Sequence, residues 1–494
     1  MATYADDIKQ LAGDSLLVLF GQVVTVGGGF LIHTLLIRNL TPSVFGILTL
    51  ALTVVSIASS FAVVGMNQAV ARFISGSESE AASDYIIIAL SVVFGSSTLV
   101  AFLIWGLREE IGLLFSTPEV KNLLGLFIAL IALRPLSNVL LGVVRGFEKT
   151  KWKIISSDIL PFLISFPLIV YLIERGDVLL GAVVFYTVQP IVRIGLLSLN
   201  LQRSGDWQFR LAVPTRKKYS EVFSFAWPLA FETIVVVFMG SIDILMLGWF
   251  LDSAEVGYYR SIQPISKILI FFLQALTFIY LPIATRYFEQ GKLEEIGTIY
   301  KASTRWITVA TFPLLVFFVF FGKELLQVLF SSEYIVAWLS LAILSVGMYS
   351  RVITGPNGMT IKAINRTRED LLASVSALVT NISLNFMLIP RYGIAGAALA
   401  TAMSYLVYNC IDLYIVYKYA NIFPLDTSLL MPLIPTTILT IIFTQLVQTS
   451  GSSLIELVLL GVGISIVHLL STILTTGFTH EDKVLLSNLR GGDE

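Results

Sequence analysis

RPLSNVLLGVVRGFEKTKWK, running from Arg134 to Lys153, decides how this chain is read. An arginine sits inside an apolar run, Arg145 follows eleven positions later, and Lys149, Lys151 and Lys153 close the segment. Eleven residues is close to three helical turns, so the two arginines share one face of a helix. RVITGPNGMTIKAINRTR, from Arg351 to Arg368, repeats the pattern. A shift of 217 residues lays Arg134 on Arg351, Arg145 on Lys362, Lys149 on Arg366 and Thr150 on Thr367. Two intramembrane cations in register point to a duplicated architecture.

The rest of the chain supplies the setting. Of 494 residues, 56% are hydrophobic and 13% charged, and the mean hydropathy is +0.85. Apolar residues gathered in runs of about 20 mark membrane-crossing helices, so the fold class is an all-α polytopic membrane protein. Fourteen such runs are predicted as spans one to fourteen: 15–38, 44–65, 84–106, 121–144, 154–173, 178–201, 220–250, 256–284, 300–321, 334–360, 370–389, 393–417, 428–448 and 453–476. Pro161, Pro167, Pro228 and Pro313 fall inside runs. Each removes a backbone donor and predicts a kink or local unwinding whose freed carbonyl a neighbour or a water-lined cavity must satisfy. The start, MATYADDIKQ, lacks the charged-then-apolar pattern of a cleaved signal peptide, so the first span is expected to stay.

Of the 32 lysines and arginines, twenty-one fall on one set of alternate connecting segments and six on the other. The basic set includes the long segment Gln202 to Tyr219. Positive loops stay cytoplasmic, which predicts a multi-pass protein of the plasma or inner membrane with both termini inside. Further echoes extend the repeat: LTPSVFG (40–46) against LDSAEVG (251–257), and Gly181-Ala182 against Gly396-Ala397. The organisation that follows is an N-terminal lobe of helices 1–6 (1–201), a cytoplasmic linker (202–219), a C-terminal lobe of helices 7–12 (220–417), and helices 13–14 with a tail (418–494). An even number of spans separates equivalent positions, so the halves share orientation.

The remaining five cations, Arg134, Arg193, Arg260, Lys267 and Arg351, lie within spans. An ionisable residue there costs about 2.5–3.5 kcal/mol by insertion scales, so it normally faces a cavity or a partner. Arg134, Ser137, Asn138 and Arg145 make one polar face of span four, and Arg351, Thr354 and Lys362 one of span ten. Arg260, Gln263, Lys267 and Gln274 share a face of span eight. Such groups suit a phosphate ester, which arginine binds bidentately and lysine as a point charge. Packing against acids or helix ends is the competing explanation for each. Arg145 and Lys362 read as membrane-edge residues.

Glu232 and Asp243 are eleven apart in span seven and are read either as a coupling-ion site or as counter-ions to the buried cations. Asp412, with Tyr405 and Tyr408, reads either as bordering a cavity or, in preference, as an acid at the cytoplasmic edge. Gln22, Thr25, Gly29 and His33 form a polar and small stripe on span one, expected to serve helix packing. Gly27-Gly28-Gly29 has no strand-to-helix context for a nucleotide and reads as a flexible or close-packing element. Cys410 reads as a small core residue, the three histidines lack metal-ligand spacing, and no cofactor is expected. The scattered basic residues argue against a nucleic-acid partner.

RNLTPSVFG (38–46), GVVRGFEKTKW (142–152), LIPRYGIAGAALATAMSY (388–405) and the 6+6+2 layout resemble polysaccharide-export flippases, the lipid-linked oligosaccharide transporters of the multidrug/oligosaccharidyl-lipid/polysaccharide superfamily. The resemblance covers essentially the whole chain, through packing and turn signatures rather than catalytic ones. It implies two six-helix lobes in a V around a cavity opening alternately to each side. It implies a lipid-linked glycan with an anionic phosphate head as substrate, carried to the outer leaflet through contacts with membrane lipids. Glycan polymerases or glycosyltransferases are the implied partners, and the chain is expected to act as a monomer. Substrate contacts are then expected at Arg134, Asn138, Arg193, Arg260, Lys267 and Arg351. A multidrug or organic-cation antiporter of the same fold, driven by Na⁺ or H⁺, is the alternative; five deep cations against two deep acids favour the anionic substrate. A polytopic glycosyltransferase would need larger outer loops than the segment Leu107 to Lys121 offers, so no enzyme activity is expected.

Overall fold

The computed structural model describes residues 21, 23–75, 79–203, 214–425, 427–446 and 453–477, and all regular structure among them is helical. Asp14 and Ser15, either of which is expected from sequence to cap the first span, lie outside the described residues, as do Gln22 and most of the expected linker. The chain divides into two compact units, Met1–Gly257 and Tyr258–Glu494.

In the first unit the helices are α1 (Val23–Asn39), α2 (Pro42–Val63), α3 (Met66–Ile74), α4 (Ser79–Gly106), α5 (Arg108–Leu114), α6 (Val120–Phe127) and α7 (Leu130–Gly146). They continue as α8 (Thr150–Ile154), α9 (Leu160–Glu174), α10 (Val178–Arg203), α11 (Arg216–Met239) and α12 (Ile242–Phe250). Thr41 caps α2, its hydroxyl accepting from Val44, and Pro42 sits where its missing N–H costs nothing. Met66, Val70, Ile86, Val93, Val143, Leu197 and Val222 form a common core among α3, α4, α7, α10 and α11.

Helix α13 (Ser253–Lys267) crosses the boundary between the units, and a 3₁₀ turn (Ile268–Ile270) follows it. The second unit continues with α14 (Phe271–Glu289), α15 (Leu293–Phe320), α16 (Gly322–Leu329), α17 (Trp338–Ile353), α18 (Asn357–Ala363) and α19 (Thr367–Ala420). It ends with α20 (Thr427–Leu430), α21 (Leu433–Leu446) and α22 (Leu454–Thr475). Tyr280, Tyr300, Ile361 and Val416 pack together at its centre.

Nine described helices are long and apolar enough to cross a membrane, or eleven if each of two bent pairs is one span, so the expected fourteen are not reached on this measure. Two expected spans appear as the shorter apolar helices Val23–Asn39 and Leu433–Thr444. Two others, 370–389 and 393–417, merge in the 54-residue α19. At 1.5 Å per residue a straight helix of that length would measure about 81 Å, against an apolar bilayer core of about 30 Å. It instead reverses at Gly393, whose φ of 58° and ψ of −137° are open to glycine alone. The amide of Asn381 on one arm donates to Thr401 and Ser404 on the other, at 3.2 and 3.4 Å.

The prolines behave differently from one another. Pro167, Pro228 and Pro313 lie within helices that continue through them, and span seven breaks instead at Gly240-Ser241. Only Pro161 accompanies a change of helix type, a π turn at Ile155–Ile159. Cys410, expected in the core, is exposed, because Asn409, Asp412 and Val416 take the inward face of α19 there.

Candidate functional site

Two helices approach closely where the three glycines lie. A Cβ on Gly28 would stand 2.6 Å from the ring of Phe162, so α1 and α9 meet there only because residue 28 has no side chain. Beside that contact is a cavity of about 220 Å³. Thr25 and Gly29 of α1 line it, with Ser157, Asp158 and Phe162, and with Phe185, Tyr186, Gln189 and Arg193 of α10. Tyr186, Gln189 and Arg193 stand at offsets of 0, 3 and 7, which puts them on one helix face. Pockets for drug-sized ligands occupy roughly 300–1,000 Å³, so this one is sized for a phosphate group or one small ring, not an oligosaccharide.

The π turn and Arg193 have one cause. In an α-helix the carbonyl of Ser157 would accept from residue 161, but Pro161 has no N–H. The chain widens to a π turn, and Nη2 of Arg193 donates to the Ser157 carbonyl at 2.8 Å. That satisfies a backbone group which lipid could not. Nε of the same guanidinium is buried beside the cavity with no hydrogen-bond partner among the described residues. One side of Arg193 is therefore structural, and the other carries the unpartnered Nε.

Arg134 on α7 lies within electrostatic reach of Arg193 and of Tyr186, and Asn138 follows one turn later, half-buried. Asp158 opposes these cations: it interacts electrostatically with Arg193, and Ser157 donates to its Oδ1 at 2.9 Å. Among the described residues, two guanidinium groups against one carboxylate leave a net positive locus, which suits a small anion. Asp158, Tyr186 and Gln189 were absent from the sequence expectations. The offset of four between Gln189 and Arg193, and an acid directly before a proline-broken turn, were the available signals. Thr25 and Gly29 face this cavity rather than serving helix packing alone; His33 packs edge-on to Phe45, with ring centroids 5.2 Å apart.

The other expected sites are arranged otherwise. Arg351 lies over the ring of Tyr405, 5.3 Å from its centroid. Its helix ends at Ile353, Gly355 takes a φ of 72°, and Lys362 belongs to the separate α18. Arg351, Thr354 and Lys362 therefore do not form the continuous helical face expected from spacing; Pro356 and the left-handed glycine interrupt it. Arg260 is half-buried and donates from Nη1 to Oε1 of Gln263 at 2.7 Å. Lys267, the last residue of α13, is exposed while Gln263 is buried, and the 3₁₀ turn after it breaks the register toward Gln274. Glu232 is exposed on α11, whereas Asp243 is buried in the first turn of α12. The break between these helices removes the shared face on which the two acids were paired.

The sequence matches the family described as "Polysaccharide biosynthesis protein" over residues 11–288, more than half of the chain. The chain belongs to this family. A second family, MatE, matches residues 228–387. The "Probable low-salt glycan biosynthesis flippase Agl15" of Haloferax volcanii is 24% identical over 212 residues, 43% of this chain and 45% of that protein. The "Probable flippase AglR" of the same organism is 25% identical over 417 residues, 80% of this chain and 81% of that protein. The chain thus spans under half the length of the first relative and about four fifths of the second. Among solved structures, "Lipid II flippase MurJ, inward closed conformation" is similar with a TM-score of 0.75 at 14% identity, covering 93% of this chain and 98% of that one. At that identity the likeness is one of fold. This member of the polysaccharide biosynthesis family is a multi-pass membrane protein.

Proposed function

We propose that the chain is a flippase that moves a lipid-linked oligosaccharide, through its polyprenyl or dolichyl phosphate or diphosphate head, from the cytoplasmic to the outer leaflet. The observation that carries this reading is the buried, unpartnered Nε of Arg193 facing a small polar cavity, with Arg134 close by. The cavity accepts a phosphate-sized group, so the glycan and the lipid tail lie outside it. The relatives named as flippases, one of them for glycan biosynthesis, support this reading.

In this mechanism the phosphate head binds Arg193 and Arg134, Asn138 contributes a neutral polar contact, and Asp158 limits how tightly the anion is held. Release needs that limit, since a carrier must let go on the far side. Transport proceeds by alternating access, the site facing one leaflet and then the other, as a shift between existing states. Arg260, Lys267 and Arg351 are proposed as further contacts for the head or the first sugars. The protein is proposed to act in the cell membrane, with cytoplasmic termini, as a monomer beside glycan polymerases or glycosyltransferases, and without catalysing a reaction itself.

The test is deletion of the gene followed by determination of which membrane face holds the lipid-linked glycan. Accumulation on the cytoplasmic face, with surface glycan lost and restored by the wild-type chain but not by Arg193→Ala, is the expected result. The match to MatE over 228–387 favours a second reading, an organic-cation antiporter using Glu232 or Asp243. An unchanged glycan distribution with raised sensitivity to cationic dyes would establish that reading instead.

A further inference from the structure

The second unit buries an acid that the flippase reading does not use. Asp412 has 0% exposure, and among the described residues neither carboxylate oxygen has a partner in hydrogen-bond geometry, although the hydroxyl of Tyr408 is close enough to interact with it. The donors around it are engaged elsewhere. The hydroxyl of Tyr408 donates to Oδ1 of Asp370 at 2.9 Å, and the amide of Asn357 to Oδ1 of Asn409 at 3.3 Å. The amide of Asn409 in turn donates to Ser350 at 3.0 Å, and the hydroxyl of Tyr300 to the Thr354 carbonyl at 2.5 Å. Arg351 reaches Asp412 electrostatically but rests over Tyr405.

Asp370 differs from its neighbour. It accepts from Tyr408, and Nζ of Lys362 stands 3.9 Å from its Oδ2, so its negative charge is compensated. The two carboxylates share a wall: a point one bond above Gly358 lies 3.8 Å from Oδ2 of Asp412 and 3.9 Å from Oδ1 of Asp370. A second, uncompensated negative charge at Asp412 would be desolvated and would face a like charge. Proteins resolve that conflict by neutralising the group.

We propose that Asp412 is a proton-binding site of the second unit, holding a proton in the state seen here. Its side chain is then a neutral carboxylic acid, the bound proton coming from bulk water. The groups facing it are Asp370 and Tyr408 on α19, Lys362 on α18, Arg351 on α17 and Tyr300 on α15. A metal cation fits the place poorly, because the ammonium of Lys362 already occupies the compensating position beside Asp370. Deprotonation requires water or a cation to reach Asp412, and hence movement of α18 against α19. Gly355, in the left-handed region, and Pro356 lie between α17 and α18, where such movement would turn. Proton binding would therefore favour one conformational state of this unit. Only the use of that bias to drive transport rests on the flippase reading.

The test uses infrared difference spectroscopy of the full chain in lipid nanodiscs, titrated with pH in the absence of any glycan. The expected result is a carbonyl band of a protonated carboxyl group that is present at neutral pH and disappears on alkalinisation. It is absent in Asp412→Asn, and in Asp370→Asn, which removes the facing like charge, it is still formed but disappears at a lower pH. Isotopic labelling of aspartate must shift the band, which keeps the test decisive if Asp412→Asn does not fold. A wild-type chain without such a band, or a band that persists in folded Asp412→Asn, overturns the proposal. So does a band removed at constant pH by Na⁺ but not by K⁺, which would make the site one for a metal cation. None of these readings depends on glycan transport, so failure of the flippase reading would leave them standing.

Discussion

Arg193 donates to the carbonyl of Ser157, 36 residues away, at the point where Pro161 withholds the helical donor. The proline and the arginine form one device: the first exposes a backbone oxygen, and the second covers it while presenting its Nε to the cavity. A charge-assisted hydrogen bond of this kind is worth about 1.5–3 kcal/mol. We expect Arg193→Ala to lower the melting temperature and abolish transport together. Adding Pro161→Ala restores the N–H, so the double variant should recover about 1 kcal/mol of the loss while transport stays absent. Thermal unfolding in detergent read beside glycan translocation checks both halves. Recovery of transport in the double variant would leave Arg193 with a structural role only.

Arg134 offers the opposite separation. It lies within electrostatic reach of Arg193 but covers no broken backbone. Arg134→Ala should therefore not lower stability, since it removes a desolvated cation beside a like charge, a group that costs about 2.5–3.5 kcal/mol by insertion scales. Flipping should fall tenfold or more, and Arg134→Lys should keep part of it, since lysine supplies charge without bidentate geometry. Initial rates in proteoliposomes loaded with lipid-linked glycan give the comparison.

The glycine triplet makes a steric prediction. A methyl group at Gly28 collides with Phe162, whereas one at Gly27 meets nothing within 4 Å. Gly28→Ala should cost about 1–3 kcal/mol, the range for overpacking. Gly27→Ala should be neutral or gain up to about 1 kcal/mol from helix propensity. Melting temperatures of the two variants, measured side by side, decide the matter.

Lys218 and Asp84 join α11 to α4 through an ion pair of 2.7 Å, with side chains 33% and 27% exposed. Exposed pairs contribute about 0.2–1 kcal/mol, so Lys218→Ala should produce a small loss of stability that shrinks as salt is added. A loss above 2 kcal/mol, unaffected by salt, would contradict that assignment.

Much of this could be read from the sequence, and the failures have physical causes. Apolar runs announced the helices, and Pro161 announced a freed carbonyl needing a partner. Arg193 was recognised as a cation out of place. What failed were inferences that carry helical phase across a break. Arg351 and Lys362, Glu232 and Asp243, and Lys267 and Gln274 each keep an α-helical spacing in sequence but are divided by Pro356, by Gly240-Ser241 and by a 3₁₀ turn. The burial of Asp412 was illegible for a different reason: it depends on what packs alongside, and α15, α17 and α18 close over it. Asp158 went unnoticed because the acid becomes informative only once α10 is laid against it.

The reversal of α19 at Gly393 has a practical consequence. The polypeptide turns back with no connecting stretch, and the amide of Asn381 holds Thr401 and Ser404 in register across the arms. An epitope tag or a protease site inserted there would pry apart its own anchorage, so reporters of sidedness placed at this turn would report on a damaged molecule. Sidedness is better mapped by single cysteines beside Gly176 or Gly291, left-handed residues around which a Cβ would meet nothing within 4 Å. The native Cys410, already exposed, should first be changed to serine so that the label reports one position.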